Sequence, residues 1–223
     1  MVDRSPARRP ARIKIEGQFV RLTPLDAAAH GEALWEAVQG ESTHWLWTYL
    51  GDGPFFDRQA FEASLKTKAA SEDPMFFAIV DQASGRAVGY ATLMRIDTVH
   101  RCIEVGNILY TPALQRTRGA TEAMYLMARY VFEVLGYRRY EWKCNALNQP
   151  SRAAAVRLGF TFEGVFRQHM IVKGHSRDTA WFSMLDSEWP DRRAAFERWL
   201  DPANFDADGT QRSSLGRKAD GKY

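Results

Sequence analysis

The sequence predicts an α/β (α+β) domain, a sheet flanked by helices. Three observations predict it. Residues 103–160 read as strand, loop, helix, strand, helix. A hairpin pattern lies on either side of that stretch and supplies further strands. The composition, 45% hydrophobic and 26% charged over 223 residues, fits one folded core with tails.

The chain begins MVDRSPARRPAR, rich in Pro, Arg and Ala, and residues 1–12 are expected to be a disordered basic tail. A single domain over 13–200 follows. Gln18–Leu22 places Phe19, Val20 and Leu22 in a first strand that ends at Pro24. Asp26 can cap a helix running through Leu34, Trp35 and Val38. An aromatic, turn-rich stretch, 42–56, precedes a second helix over Asp57–Lys68. Met75–Asp81 and Ala87–Ile96 form a hairpin around a five-residue turn. The continuous apolar run of the first of these marks a buried strand.

Ile103–Tyr110 is β-branched and aromatic-rich and stops before Pro112. Gly106-Asn107 inside it signals a bulge or a close backbone approach. Ala120–Leu135 then changes to helical period. Ala120, Ala123, Met124, Met127, Val131, Val134 and Leu135 form the apolar stripe, and Glu122, Arg129 and Glu133 lie on another face. Gly136 supplies the stop. Arg138–Cys144 reads as a strand, and Pro150 opens a helix that closes at Gly159. Thr161–Val172 and Arg177–Leu185 flank the turn 173–176. Ser187 can cap a last helix over Glu188–Trp199, and the polar stretch 201–223 is expected to be a flexible tail.

Several function classes are excluded. No apolar run approaches the roughly 18–20 residues that span a membrane. The N-terminus has no apolar core of a secretory signal. Cys102 and Cys144, on predicted strands without C-x-x-C spacing, read as buried thiols of a reducing compartment, so the expected location is cytoplasmic. His44, His100, His169 and His175 are scattered without metal-ligand spacing, and no metal is expected. The net charge of +3 owes much to the arginine-rich start; such a tail has the charge to touch nucleic acid, but a solvated flexible end is the preferred reading, and nucleic acid is not expected as a partner.

Chemistry concentrates between residues 104 and 164. Gln115-Arg116-Thr117-Arg118-Gly119-Ala120-Thr121 puts two arginines and a glycine at a helix N-terminus, where free N–H groups and a partial positive charge suit phosphate. A solvated basic turn is the competing reading. Downstream come Asn145-Ala146-Leu147-Asn148-Gln149-Pro150-Ser151 and Leu158-Gly159-Phe160-Thr161-Phe162-Glu163-Gly164.

The loop, helix, N-x-x-N-x-x-S segment and L-G-F-x-x-E-G segment together resemble the GNAT superfamily, and within it the RimJ/RimL-like N-acetyltransferases. The likeness covers about residues 18–186 in element order. The loop departs from the family pattern at its last position, Thr121. The resemblance implies a mixed, mostly antiparallel, twisted sheet whose central strands splay apart, with acetyl-CoA as co-substrate. Its pantetheine arm would pair with the backbone of the strand carrying Ile108 and Leu109. Gln115, Arg116, Arg118, Gly119, Ala120 and Thr121 would hold the pyrophosphate, and Asn145, Asn148 and Ser151 the arm.

The resemblance also places the acceptor pocket in the aromatic stretch, with Trp45, Trp47, Tyr49 and Phe55 as its wall; ordinary core packing competes for the tryptophans. Glu104 is the candidate base for the amine proton, against the alternative of an ion pair with Arg95 or Arg101. Many members carry a tyrosine acid four residues before the L-G-F glycine. Here that residue is Ala155, and Ser151 substitutes only by position. Asn148 and Ser151 serve equally as N-caps. The expected function is acetyl transfer to a primary amine of a protein N-terminus or small molecule, with a homodimer left open. The alternative is a non-catalytic acyl-CoA-binding protein of the same fold.

Overall fold

The structure, a computed structural model, describes residues 4–216. Eight strands form one sheet in the order β1-β2-β3-β4-β5-β6-β8-β7. They are β1 (Ile15–Glu16), β2 (Val20–Pro24), β3 (Met75–Asp81), β4 (Ala87–Asp97), β5 (Cys102–Tyr110), β6 (Arg139–Asn145), β7 (Thr161–Val172) and β8 (His175–Leu185). Only β5 and β6 pair in parallel; every other neighbour is antiparallel. The mixed, mostly antiparallel sheet expected from the sequence is therefore the one observed.

The helices are α1 (Ala27–Val38), α2 (Arg58–Ala70), α3 (Arg118–Arg129), α4 (Gln149–Arg157) and α5 (Trp189–Leu200). Asp26 caps α1 by accepting from the Ala29 N–H, and Asp57 caps α2 by accepting from Ala60. A 3₁₀ segment, Glu41–Trp47, joins these helices. α1 and α2 pack with β2–β4 around a core that includes Leu34, Phe61, Leu65, Phe76 and Tyr90. α3, α4 and α5 cover the other face with Met124, Leu126, Tyr140, Trp142, Phe160 and Phe196. α3 is continued by a π-helical turn, Tyr130–Leu135, and stops where Gly136 takes φ 77°.

Four expectations are corrected. Glu122, expected on a common face with Arg129 and Glu133, differs from them in its surroundings. It is buried, and its carboxylate accepts from the N–H groups of Gln18, Phe19 and Val20 at 2.7, 2.7 and 2.8 Å. These are backbone donors where the chain turns into β2, and a carboxylate satisfies all three. Ser187 does not cap α5; the residue before the helix is Glu188, which makes no side-chain cap.

The N-terminal stretch is not free where it is described. Ala7 is buried, and the Ala7 and Arg8 amides donate to the Thr98 and Leu135 carbonyls. Nor is the chain after Leu200 loose as far as residue 216. Asn204 is buried; its amide donates to the Trp199 and Ser213 carbonyls, and its side-chain oxygen accepts from the Ser213 N–H. Phe205 and Gln211 form a β-bridge around that anchor. Residues 1–3 and 217–223 of the two expected tails lie outside the described residues.

Candidate active site

The site grows out of a defect in the sheet. β5 and β6 pair only from Cys102↔Arg139 to Val105↔Trp142, and β5 then runs on to Tyr110 with no partner on that side. Its other edge stays on β4, but the register shifts between Tyr90↔Leu109 and Thr92↔Gly106. Asn107, at φ 46°, absorbs the extra residue, so the Gly106-Asn107 signal marks a real bulge. At Gly106 the approach is also close, since a Cβ there would lie 2.6 Å from the Met94 sulfur. The Leu109 side chain is fully inside the α1–α2 core and Ile108 is half-buried, so both offer a ligand mainly backbone.

Glu104 sits just before the split, on the β5 face shared with Glu141 of β6. It is buried to 4% exposure. Its carboxylate pairs with Arg95 Nε at 2.9 Å and Lys143 Nζ at 3.0 Å. Both sequence readings thus keep a foothold: the Arg95 pair exists, yet the group is buried beside the cleft rather than partly exposed. Burial pushes the Glu104 pKa above the usual carboxylate value, and Lys143 and then Arg95 offset part of that rise. Lys143 also pairs with Glu141 at 2.6 Å and lies 3.9 Å over the Trp181 ring.

Lys143 was legible as a signal that pattern reading passed over. Glu141 and Lys143 are two charges at i and i+2 on a central strand, which puts both on one half-covered face.

Beyond the split, Asn145 and Asn148 shape the turn into α4. Asn145 Oδ1 accepts from the Leu147 N–H, and Asn148 Oδ1 from Ser151 N–H. The capping reading of Asn148 is therefore what the geometry shows. The Ser151 Oγ accepts from the Trp142 indole N–H at 3.0 Å. Burial pushes the Cys144 thiol up. Cys144 is buried as expected, Cys102 only half so, and both are free. Ala155 is wholly buried in the core.

At the N-terminus of α3, Thr117 is the cap and accepts from Ala120 N–H. Arg118 and Gly119 open the helix, and their amides have no acceptor four residues back. Arg116 is exposed at φ 61°. The Arg118 guanidinium is held between the Phe19 and Phe205 rings, at 5.0 and 4.5 Å. Arg116, Thr117 and Arg118 line one side of a cavity of about 300 Å³; Trp199, Phe205, Gly209 and Gln211 line the other.

The remaining loop positions turn inward. Gln115 Nε2 donates to the Tyr110 carbonyl, Ala120 O accepts from the Tyr110 hydroxyl, and buried Thr121 accepts from Arg157. A Cβ on Gly119 would lie 2.8 Å from Val20 Cγ1, so this glycine serves helix–sheet packing whatever else it does.

The four aromatic residues of the expected acceptor wall separate. Trp47 is 1% exposed and belongs to the α1–α2 core, with Phe55 edge-on to it at 5.2 Å. Core packing, the competing reading for the tryptophans, describes Trp47 but not Trp45, and Phe55 packs against the same core. Trp45 is exposed, and the Tyr49 hydroxyl reaches across to the Leu147 carbonyl at 3.3 Å. The other side of this opening is the β7–β8 hairpin, whose Lys173 donates to the Trp47 carbonyl at 2.8 Å. Among the described residues no cluster of three His, Cys, Asp or Glu is arranged to hold a metal, and no helix is long and apolar enough to cross a membrane.

Comparison with known proteins agrees with this geometry. A GNAT-family protein from Brucella melitensis is 50% identical in solved structure, covering 95% of this chain and 96% of its own, with a TM-score of 0.93. A structure from Chromobacterium violaceum ATCC 12472, described as a probable GNAT-family acetyltransferase, is 42% identical over 83% of this chain and 92% of its own, with a TM-score of 0.77. YdaF of Bacillus subtilis (strain 168), provisionally named a ribosomal N-acetyltransferase, is 30% identical over 47% of this chain. The match spans 57% of that relative's length. The family described as the acetyltransferase (GNAT) domain matches residues 20–161. With its parallel β5–β6 pair opening beside a helix N-terminus, and with that match over more than half its length, this chain belongs to the GNAT acetyltransferase family.

Proposed function

We propose that the protein transfers the acetyl group of acetyl-CoA to a primary amine of a peptide N-terminus or a small molecule. The observation that carries this reading is Glu104, a buried carboxylate at the point where β5 and β6 part. The residues present fit the co-substrate. The unpartnered edge of β5 offers backbone hydrogen bonds to an extended amide-bearing arm. The open first turn of α3, with Arg116 and Arg118 in no ion pair among the described residues, suits a pyrophosphate. Acetyl-CoA supplies the activated acyl group when bound.

The chain's own part is proton management and orientation. An amine near neutral pH is mostly protonated and cannot attack until it loses a proton. Glu104 takes that proton, directly or through water. The Ser151 hydroxyl, oriented by the Trp142 indole, has its own hydrogen left to donate toward the departing sulfur. The name of YdaF supports a ribosomal protein as the acceptor. The test is mass spectrometry of a cell extract incubated with the protein and isotope-labelled acetyl-CoA. Labelled acetylated amines are expected; acetyl-CoA binding without any labelled product would instead favour a non-catalytic acyl-CoA-binding role, which Ala155 at the family's tyrosine position motivates.

A further inference from the structure

The acceptor side of the cleft holds a surplus cation and two buried N–H groups with no acceptor. Pairing of Lys143 with Trp181 and of Asn145 with Thr179 sets Trp181, Thr179 and, two residues on, Arg177 on one face of β8. This is the Glu104 face. β6 ends at Asn145, so Arg177 stands past its end, at the mouth of the β5–β6 split. Opposite Arg177–Thr179, β7 bulges between Phe166 and Met170 and swings His169 onto the Thr179 hydroxyl at 3.1 Å. Phe166 packs against Trp181 at 4.5 Å with the rings tilted by 38°, and Lys143 covers the ring at 3.9 Å. The indole is thereby fixed in place.

Arg177 Nε and Trp181 Nε1 are both buried without a hydrogen-bond partner. Such donors are costly unless something accepts from them. Glu141 is matched by Lys143 and Arg139, and Glu104 is ion-paired through Oε2 with Arg95 and Lys143, although that oxygen accepts no directed hydrogen bond. Asp178, the neighbour of Arg177, accepts from the Gln168 amide through Oδ1 and forms no ion pair with Arg177. Arg177 joins no ion pair among the described residues.

We infer that Arg177 and the Trp181 indole N–H form an acceptor subsite that reads an anionic oxygen group, a carboxylate or a phosphate, carried a few bonds from the reactive amine. The inference rests on the acetyl-transfer reading and names the substrate class of that site. A guanidinium in a half-dry site prefers an acid oxygen to a neutral one, because desolvation strengthens the charge-assisted bond. Placing that group on Arg177 would bring the amine back toward Glu104.

The test compares kcat/KM for acceptors matched in amine basicity. Alanyl-glutamate is set against alanyl-glutamine, and phosphoethanolamine against ethanolamine, so the two arms separate carboxylate from phosphate. The wild-type protein should favour the acid member of at least one pair by about 10- to 100-fold, the range of a charge-assisted hydrogen bond. Arg177→Gln should bring that ratio close to one, and Arg177→Lys should retain part of it. Acetyl-CoA affinity by calorimetry should hold in both variants, which shows them folded. Trp181→Phe keeps the ring and removes only the N–H, and should lower the ratio less. A wild-type ratio near one in both pairs, or a ratio unchanged in Arg177→Gln, overturns the inference while acetyl transfer stands. Failure of the wild-type protein to bind acetyl-CoA overturns the parent reading as well.

Discussion

At the scale of single residues, Glu104 is held between two opposing influences. Burial raises its pKa, and Lys143 and Arg95 pull it back. Only the ionised carboxylate can take a proton, so activity should fall as pH drops through the Glu104 pKa, and this acid limb should lie above the ordinary glutamate range. Glu104→Gln should lower kcat by about 10²–10⁴ with acetyl-CoA affinity retained. Full kcat at neutral pH in that variant would make the residue structural. Lys143→Met removes the strongest pull toward ionisation, so the acid limb should move to higher pH. A limb that stays put, or moves down, would show that the pair is not what sets it. Glu104 and its arginine partner were legible in the sequence from strand alternation and nearby charge. Its second partner was not, because Lys143 comes from β6 and lies over Trp181 of β8, a strand from the far end of the chain.

At the scale of elements, the strands and helices with strong local patterns were legible. Met75–Asp81 is reproduced to the residue, and the cap Asp26 is where its side chain predicts; Asp57, expected as the first residue of the second helix, is its cap. The 3₁₀ segment was harder: its aromatic residues alternate between roles, since one turn per three residues sends Trp47 inward and leaves Trp45 outside. Trp47→Ala should therefore cost stability, about 3–5 kcal/mol, and thermal or denaturant unfolding should show it. An unchanged midpoint with a raised acceptor KM would return Trp47 to the pocket wall.

The loop before α3 carries two arginines at a helix N-terminus, and the structure clamps one of them, Arg118, between Phe19 and Phe205. Phe205→Ala should loosen Arg118 and weaken CoA binding. Arg118→Ala should do so by about 1–3 kcal/mol in calorimetry. Equal affinity across both variants and the wild type would leave the Arg118 stack a purely structural contact.

At the scale of the whole molecule, the mixed sheet and its two flanking layers follow from element order, and the family resemblance predicted where it opens. The ends of the chain did not yield to the same reasoning. Ala7 against Thr98, and Phe205 against Arg118, are contacts between stretches that carry no periodic signal of their own. A polar, proline-bearing segment reads as loose until its distant partner is known. Glu122 is the same lesson inside a helix. Its three backbone partners lie outside the helix, so helical periodicity alone groups it with Arg129 and Glu133 and does not show its burial.

The short ladder between β5 and β6 has a mechanical consequence. The sheet is two plates, β1–β5 and β6–β8, fastened along a seam that closes at one end only. Anything that hydrogen-bonds along the free edge of β5 acts as a further row of stitches and should stiffen one plate against the other. Amide exchange reads this directly. Adding CoA should slow exchange at Asn107, Ile108 and Leu109 and, through the tightened seam, at Lys143 and Cys144, while the amides of the β2–β3 ladder keep their rates. Protection confined to the first turn of α3 would mean that the ligand is gripped at its phosphates and leaves the seam unfastened.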